Sequence, residues 1–171
     1  LLLNYHPDVR KGDDNVLALM FDMNALWEQF VYVSIRKFKD KETTIAAQSI
    51  KNFWKPNTGH RSRIRPDIVL NKGTEKCVVL DTKWKNLNGY NPVHEDLRQM
   101  FVYMKYFGAK KVALVYPGID CSYRTGKYYE YDTYNPNELS ENECGVISIG
   151  VDVNVKRWQM MISDSINKLL E

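Results

Sequence analysis

Two short runs hold the residues best suited to chemistry: Arg65-Pro66-Asp67-Ile68-Val69-Leu70 and Val78-Val79-Leu80-Asp81-Thr82-Lys83-Trp84-Lys85. Both are apolar and β-branched; the first contains an aspartate and the second ends in Asp-x-Lys. Between them lies Asn71-Lys72-Gly73-Thr74-Glu75, with the Asn and Gly that tight hairpin connections use. Paired, the two strands bring Asp67 and Asp81 together with Lys83 beside them. Carboxylates held close repel each other, so such a site is suited to holding a divalent cation. The plainer alternative is two ordinary strands whose Asp and Lys are solvated edge residues, joined by at most one ion pair.

Strand periodicity sets the faces. Asp81 and Lys83 share a face with Val79, while Leu80, Thr82 and Trp84 take the other. Because Val78, Val79 and Leu80 are all apolar, this strand is expected to lie centrally, covered on both sides. On the first strand Asp67 shares a face with Arg65 and Val69. Charge enters only where the apolar run stops, which is where a sheet opens to solvent.

Two helices flank these strands in sequence. The first runs from Asp22, placed as N-cap, to Phe38, with basic residues in its last turns. Nearly every face of it is apolar, so it is expected to be largely buried. Glu28 is the one acid in its body, and a buried glutamate is costly unless it is paired or binds a cation. The second, Asp96–Phe107, ends before Gly108 and presents Leu97, Met100, Phe101, Met104 and Phe107 as its core stripe. Gln99 and Tyr103 stand one above the other on an adjoining face. There they can bond a phosphate, orient a lysine, or simply face solvent.

The order helix-Glu, Pro-Asp, Asp-x-Lys and Gln-x-x-x-Tyr resembles the PD-(D/E)XK nuclease superfamily. More closely, Phe21-Asp22-Met23-Asn24-Ala25-Leu26-Trp27-Glu28-Gln29-Phe30-Val31, with Arg65-Pro66-Asp67 and Leu80-Asp81-Thr82-Lys83-Trp84-Lys85, resembles the McrC-type nuclease subunits of modification-dependent restriction systems. The likeness runs from about Asn15 to the C-terminus. It implies an α/β restriction-endonuclease-like fold, with a central mixed β-sheet flanked by helices. One departure is that the second acid is Asp rather than the commoner Glu, which keeps the charge and shortens the reach.

The resemblance also implies roles. Asp67 and Asp81, with the backbone carbonyl of Thr82, would hold Mg²⁺ (Mn²⁺ in its place), and Glu28 would complete the site through a water or a second metal. Lys83 would position or help deprotonate a water, while Gln99 and Tyr103 would steady the site or the phosphate backbone. The partners implied are double-stranded DNA and an AAA+ GTPase of the McrB type, docked through an upstream region. Cutting both strands suggests a dimer. The chain opens Leu1-Leu2-Leu3 with no basic n-region, so residues 1–14 read as a remnant or linker and 15–171 as the nuclease domain. Two other readings stand beside this one: a nuclease of repair or Holliday-junction resolution, and an adaptor that keeps the fold without catalysis.

Composition is compatible with all three. At 171 residues, 26% charged and 44% hydrophobic, the chain suits one folded domain. Its longest apolar stretch, Val16 to Phe21, is too short for a membrane span. Cys77, Cys121 and Cys144 show neither a disulfide framework nor zinc spacing and fit a cytoplasmic setting. No Gly-rich phosphate loop is present, so nucleotide hydrolysis is not expected of this chain. A net charge of +3 is modest, but Lys51, Lys55, His60, Arg61, Arg63 and Arg65 cluster around Phe53 and Trp54, just ahead of the Pro-Asp strand. Arg61, Arg63 and Arg65, with Lys85, are the candidate DNA-binding residues; the alternative is a solvated loop turning at Pro56-Asn57-Thr58-Gly59. Further on, Lys111–Tyr116 reads as a buried strand and Tyr123–Tyr134 as an exposed strand or a hairpin around Thr125-Gly126. Residues 138–143 read as an acidic loop, Val146–Val153 as a strand, and Val155–Leu170 as a closing helix capped by Asn154.

Overall fold

The computed structural model describes residues 22–170. The boundary expected at residues 14 and 15, and the apolar run 16–21, lie outside them. The elements are α1 (Met23–Phe38), β1 (Ile45–Ala47), β2 (Lys51–Trp54), β3 (Ser62–Ile64), β4 (Ile68–Leu70), β5 (Val78–Thr82), α2 (His94–Phe107), β6 (Lys111–Gly118), β7 (Ser122–Tyr129), β8 (Leu139–Gly150) and α3 (Val155–Leu170).

Six strands form one mixed sheet in the order β1-β4-β5-β6-β8-β7. The inner strands β5, β6 and β8 are parallel; β1, β4 and β7 join antiparallel. Every residue of β5 is buried, as its uninterrupted apolar start requires. Parity then builds two cores. Ile68, Leu70, Leu80, Val115 and Ile147 face α1 and α3, whereas Val69, Val79, Leu114 and Val146 face α2. Asp67 and Asp81, in step with Val69 and Val79, therefore belong to the α2 side. This is the mixed-sheet α/β architecture expected from the sequence.

The helix ends follow their local chemistry. Asp22 Oδ1 accepts from the amides of Asn24 and Ala25 at 3.0 and 3.1 Å, and Asn154 Oδ1 accepts from Arg157 N at 3.1 Å. Gly108 closes α2 in the left-handed region, φ 65°, where a side chain would be strained. Helix α2 begins at His94, two residues before the expected Asp96.

Several expectations are corrected. Helix α1 is not largely buried: only Trp27, Val31, Ser34 and Ile35 are, while Leu26 and Val33 are exposed. It lies in an outer layer beside α3, and a helix there buries one stripe however apolar its other faces are. The first strand pairs only from Ile68, because Pro66 has no N–H to give a ladder. No hairpin turns at Thr125-Gly126; β7 runs straight through them. The supposed acidic loop is largely the first half of β8, where Glu143 lies across from Lys127 and the acids sit on a ladder that β7 provides. At the other end β8 stops at Gly150, leaving Val151 and Val153 exposed beyond the sheet.

Strands β2 and β3 form a separate two-stranded antiparallel ribbon, joined through Gly59 at φ 102°. It is inserted between β1 and β4 in sequence, so its exit leads directly into Asp67.

Candidate active site

The site begins where β4 and β5 come into register. Ile68 lies across from Leu80, and Asp67 and Asp81 each stand one residue beyond this pair. Asp67 Oδ2 accepts from Thr82 N at 2.6 Å and from Thr82 Oγ1 at 2.8 Å. Thr82 thus holds the first acid in place through its amide and hydroxyl, a contact absent from the sequence reading.

Asp81 is only 2% exposed. Burial, followed by the charge of Asp67, pushes its carboxyl up to about 6. Its Oδ2 lies 2.7 Å from Lys83 Nζ but receives no well-aligned hydrogen bond. A buried carboxylate oxygen beside a second carboxylate, without a proper donor, is a donor set that fits a hard divalent cation.

Lys83 sits among three partners. Its Nζ contacts Asp81, lies 3.9 Å from Asp96 Oδ1, and donates to Gln99 Oε1 at 3.1 Å. Burial works to lower its pKa, but Asp81, Asp96 and Asp67 outweigh it, and the net shift is upward. The group is an ammonium at neutral pH. The contact chain continues: Gln99 Nε2 donates to Tyr103 Oη at 2.7 Å, and Tyr103 Oη donates to Arg65 O at 3.4 Å. Burial, with the charges of Asp81 and Asp67, raises the Tyr103 phenol to about 12, so it stays protonated. Of the two, Gln99 touches the lysine, and Tyr103 touches Gln99.

Glu28 stands at the rim. Its Oε1 accepts from Gln48 Nε2 at 2.9 Å, and burial, with the nearby Asp67, raises its pKa while Gln48 and Arg65 oppose. Among the described residues no three His, Cys, Asp or Glu side chains form a metal-binding group. The acid pair, with Glu28 beside it, is the unit present.

The other candidates divide. Arg61, Arg63 and Arg65 are exposed on and beside the β2–β3 ribbon. Lys85 is half exposed and its Nζ lies 2.6 Å from Asp96 Oδ2. Asp96 was missed in the sequence, where it was named only as the first residue of the second helix. It is buried, pairs with Lys85, lies near Lys83 and accepts from Tyr116 Oη at 3.3 Å. Gln48 was also missed, and no local signal marks it. Its amide bonds Asp67 O at 2.8 Å, tying the end of β1 to the first acid.

Behind the site, Trp27 of α1 donates its indole N–H to Val115 O at 3.1 Å. The same carbonyl accepts from Lys83 N at 3.0 Å. One backbone oxygen of β6 therefore anchors both the buried helix face and the residue carrying the ammonium.

The fold agrees with what the chain is similar to. No curated protein matches it. Among solved structures, a similar chain comes from a refined half-complex of a tetradecameric assembly of Thermococcus gammatolerans McrB AAA+ hexamers with bound McrC. The likeness has a TM-score of 0.53 at 22% identity and covers 86% of this chain. It covers 33% of that one, so this chain spans about a third of that relative's length. Residues 1–117, more than half of the chain, match the family described as McrBC 5-methylcytosine restriction system component. The chain belongs to the McrBC family of restriction system components.

Proposed function

We propose that this chain is the cleaving part of a McrBC-like restriction complex, a metal-dependent endonuclease that hydrolyses phosphodiester bonds of double-stranded DNA. The observation that carries this reading is the buried Asp81 beside the half-buried Asp67, with the Lys83 ammonium held between Asp81 and Gln99. Asp67 and Asp81 would hold Mg²⁺, or Mn²⁺ in its place, with the Thr82 carbonyl and Glu28 as further ligands. When bound, such a cation polarises the phosphate and acidifies a water. Lys83, kept cationic by its neighbours, positions the attacking water and offsets charge building on the phosphate oxygens. Gln99 fixes the direction of the ammonium, and Tyr103 ties Gln99 to the strand carrying Asp67.

The assembly of the similar chain, with McrB AAA+ hexamers, supports an AAA+ partner; in this reading that partner is a GTPase that recognises modified DNA and drives cleavage. We place the reaction in the cytoplasm, with two copies needed to cut both strands. The test is a cleavage assay with and without Mg²⁺ and with and without an McrB-type GTPase. Cleavage that needs both is expected. Cutting of branched DNA by the chain alone would favour junction resolution, and no cleavage under any condition would favour an adaptor.

Arg61 and Arg63 are exposed on and beside the ribbon that leads into Asp67, and in this reading they contact DNA phosphates. Replacing both by Ala should flatten the dependence of log K on log salt by about 1.8, roughly 0.9 for each lost phosphate contact. Titrations at several salt concentrations measure this, and an unchanged slope would remove both residues from the DNA interface.

A further inference from the structure

The β2–β3 ribbon has more structure than a charged patch needs. Its pairing puts Lys51 across from Ile64 and Asn52 across from Arg63, with a bulge before the Trp54–Ser62 pair. One side docks. Ile64 packs on the core beneath α2, Phe53 lies 5.5 Å from the Tyr106 ring, and Lys51 Nζ donates to Tyr106 O. The other side, bearing Asn52 and Arg63, is exposed. At the tip, Trp54 is 61% exposed beside Lys55, and the connection returns through His60 and Arg61. From residue 50 to residue 66 the chain has five Lys or Arg and no acid.

Docking at the base and bareness at the tip distinguish an arm from a loop. The base is anchored on α2, and Tyr103 binds Arg65 O where the ribbon enters the strand of Asp67. An exposed Trp at the end of an acid-free ribbon stacks on no other ring among the described residues, while its surrounding charge selects a polyanion. A two-stranded ribbon also has the width that the major groove of a duplex admits.

We propose that the β2–β3 ribbon is a duplex-gripping arm that seats in the major groove beside the cleaved phosphate. Asn52 faces base edges, Trp54 makes apolar contact within the groove, and Arg63 with the cations of the tip meets the flanking phosphates. The proposal deepens the nuclease reading and rests on it for the identity of the polymer. It adds that uncharged residues contribute to binding, which a purely electrostatic surface would not require.

The experiment measures binding of a labelled duplex, and of one of its single strands, by fluorescence anisotropy in EDTA. It uses the whole chain, with Trp54→Ala, Asn52→Ala and, as a remote control, Lys127→Ala on β7. Trp54→Ala and Asn52→Ala should each weaken duplex binding about fivefold or more without changing the salt slope, and Lys127→Ala should change it less than twofold. Replacing guanine by 7-deazaguanine, which removes a major-groove acceptor, should weaken wild-type binding, and netropsin in the minor groove should not compete. All three substituted residues are exposed, so thermal melts should match wild type. Wild-type affinity in both ribbon variants, or displacement by netropsin, would overturn the arm. Because EDTA separates binding from cleavage, a chain that cuts DNA yet ignores these changes sinks the arm alone. One that needs the ribbon for binding but never cuts sinks the nuclease reading alone.

Discussion

Asp81→Asn and Lys83→Ala should each slow Mg²⁺-dependent DNA cleavage by about three orders of magnitude, the scale of losing a charge-stabilising group from a site shielded from water. Asn keeps the size of Asp81 but removes the charge that would hold the cation. Ala at position 83 removes the ammonium that contacts Asp81 and Gln99. Single-turnover cleavage measures both, and wild-type rates in either variant would end these assignments.

The same Asp81 substitution should have the opposite effect on folding. The carboxyl titrates near 6 in the folded chain, against an ordinary value of 3.8, so the folded state prefers it protonated. Between about pH 4 and pH 6 the unfolded chain gives up this proton first, and stability falls as pH rises. Above pH 6 the whole cost is present, about 3 kcal/mol at most for a shift of this size. Asp81→Asn should therefore melt higher than wild type at pH 7–8 without divalent metal, and the difference should vanish below pH 4. Added Mg²⁺ should raise the melting temperature of wild type and leave the variant unchanged. A variant less stable than wild type at pH 8 would mean that Asp81 is a structural ion-pair partner.

Trp27→Ala should cost about 3–5 kcal/mol, as expected for removing a large buried aromatic. The indole is 2% exposed and lies 5.9 Å from the Trp84 ring and 5.8 Å from the Trp158 ring, joining α1, α3 and the segment after β5. Its loss leaves a cavity and frees Val115 O on one side. Trp27→Phe keeps most of the packing and loses the indole hydrogen bond, so its cost should be nearer 1 kcal/mol. Urea unfolding midpoints separate the two. A Trp27→Ala cost below about 1 kcal/mol would show that the site does not depend on this pillar.

Much of the scaffold was legible because local rules dominate there. Val78-Val79-Leu80 could only be a strand covered on both faces, and Asp22 and Gly108 mark helix ends through contacts with their own neighbours. The Asp67–Asp81 register followed from hairpin pairing and a period of two. Misread segments are those whose state depends on a distant partner. Residues 139–143 are strand because β7 lies beside them, and α1 is half exposed because the fold puts it in an outer layer.

The sequence by itself determined the acids, the lysine, their strands and the family resemblance, since these rest on residue type and short spacing. Only the tertiary structure decided which groups meet across the sheet. Asp96 joined the lysines, Gln48 reached Glu28 and Asp67, Lys85 paired with Asp96, and Val115 O came to hold both Trp27 and Lys83. Such contacts span from 11 to 88 residues and are fixed by strand order and helix docking. No local pattern encodes them, because their free energy exists only once the layers have closed.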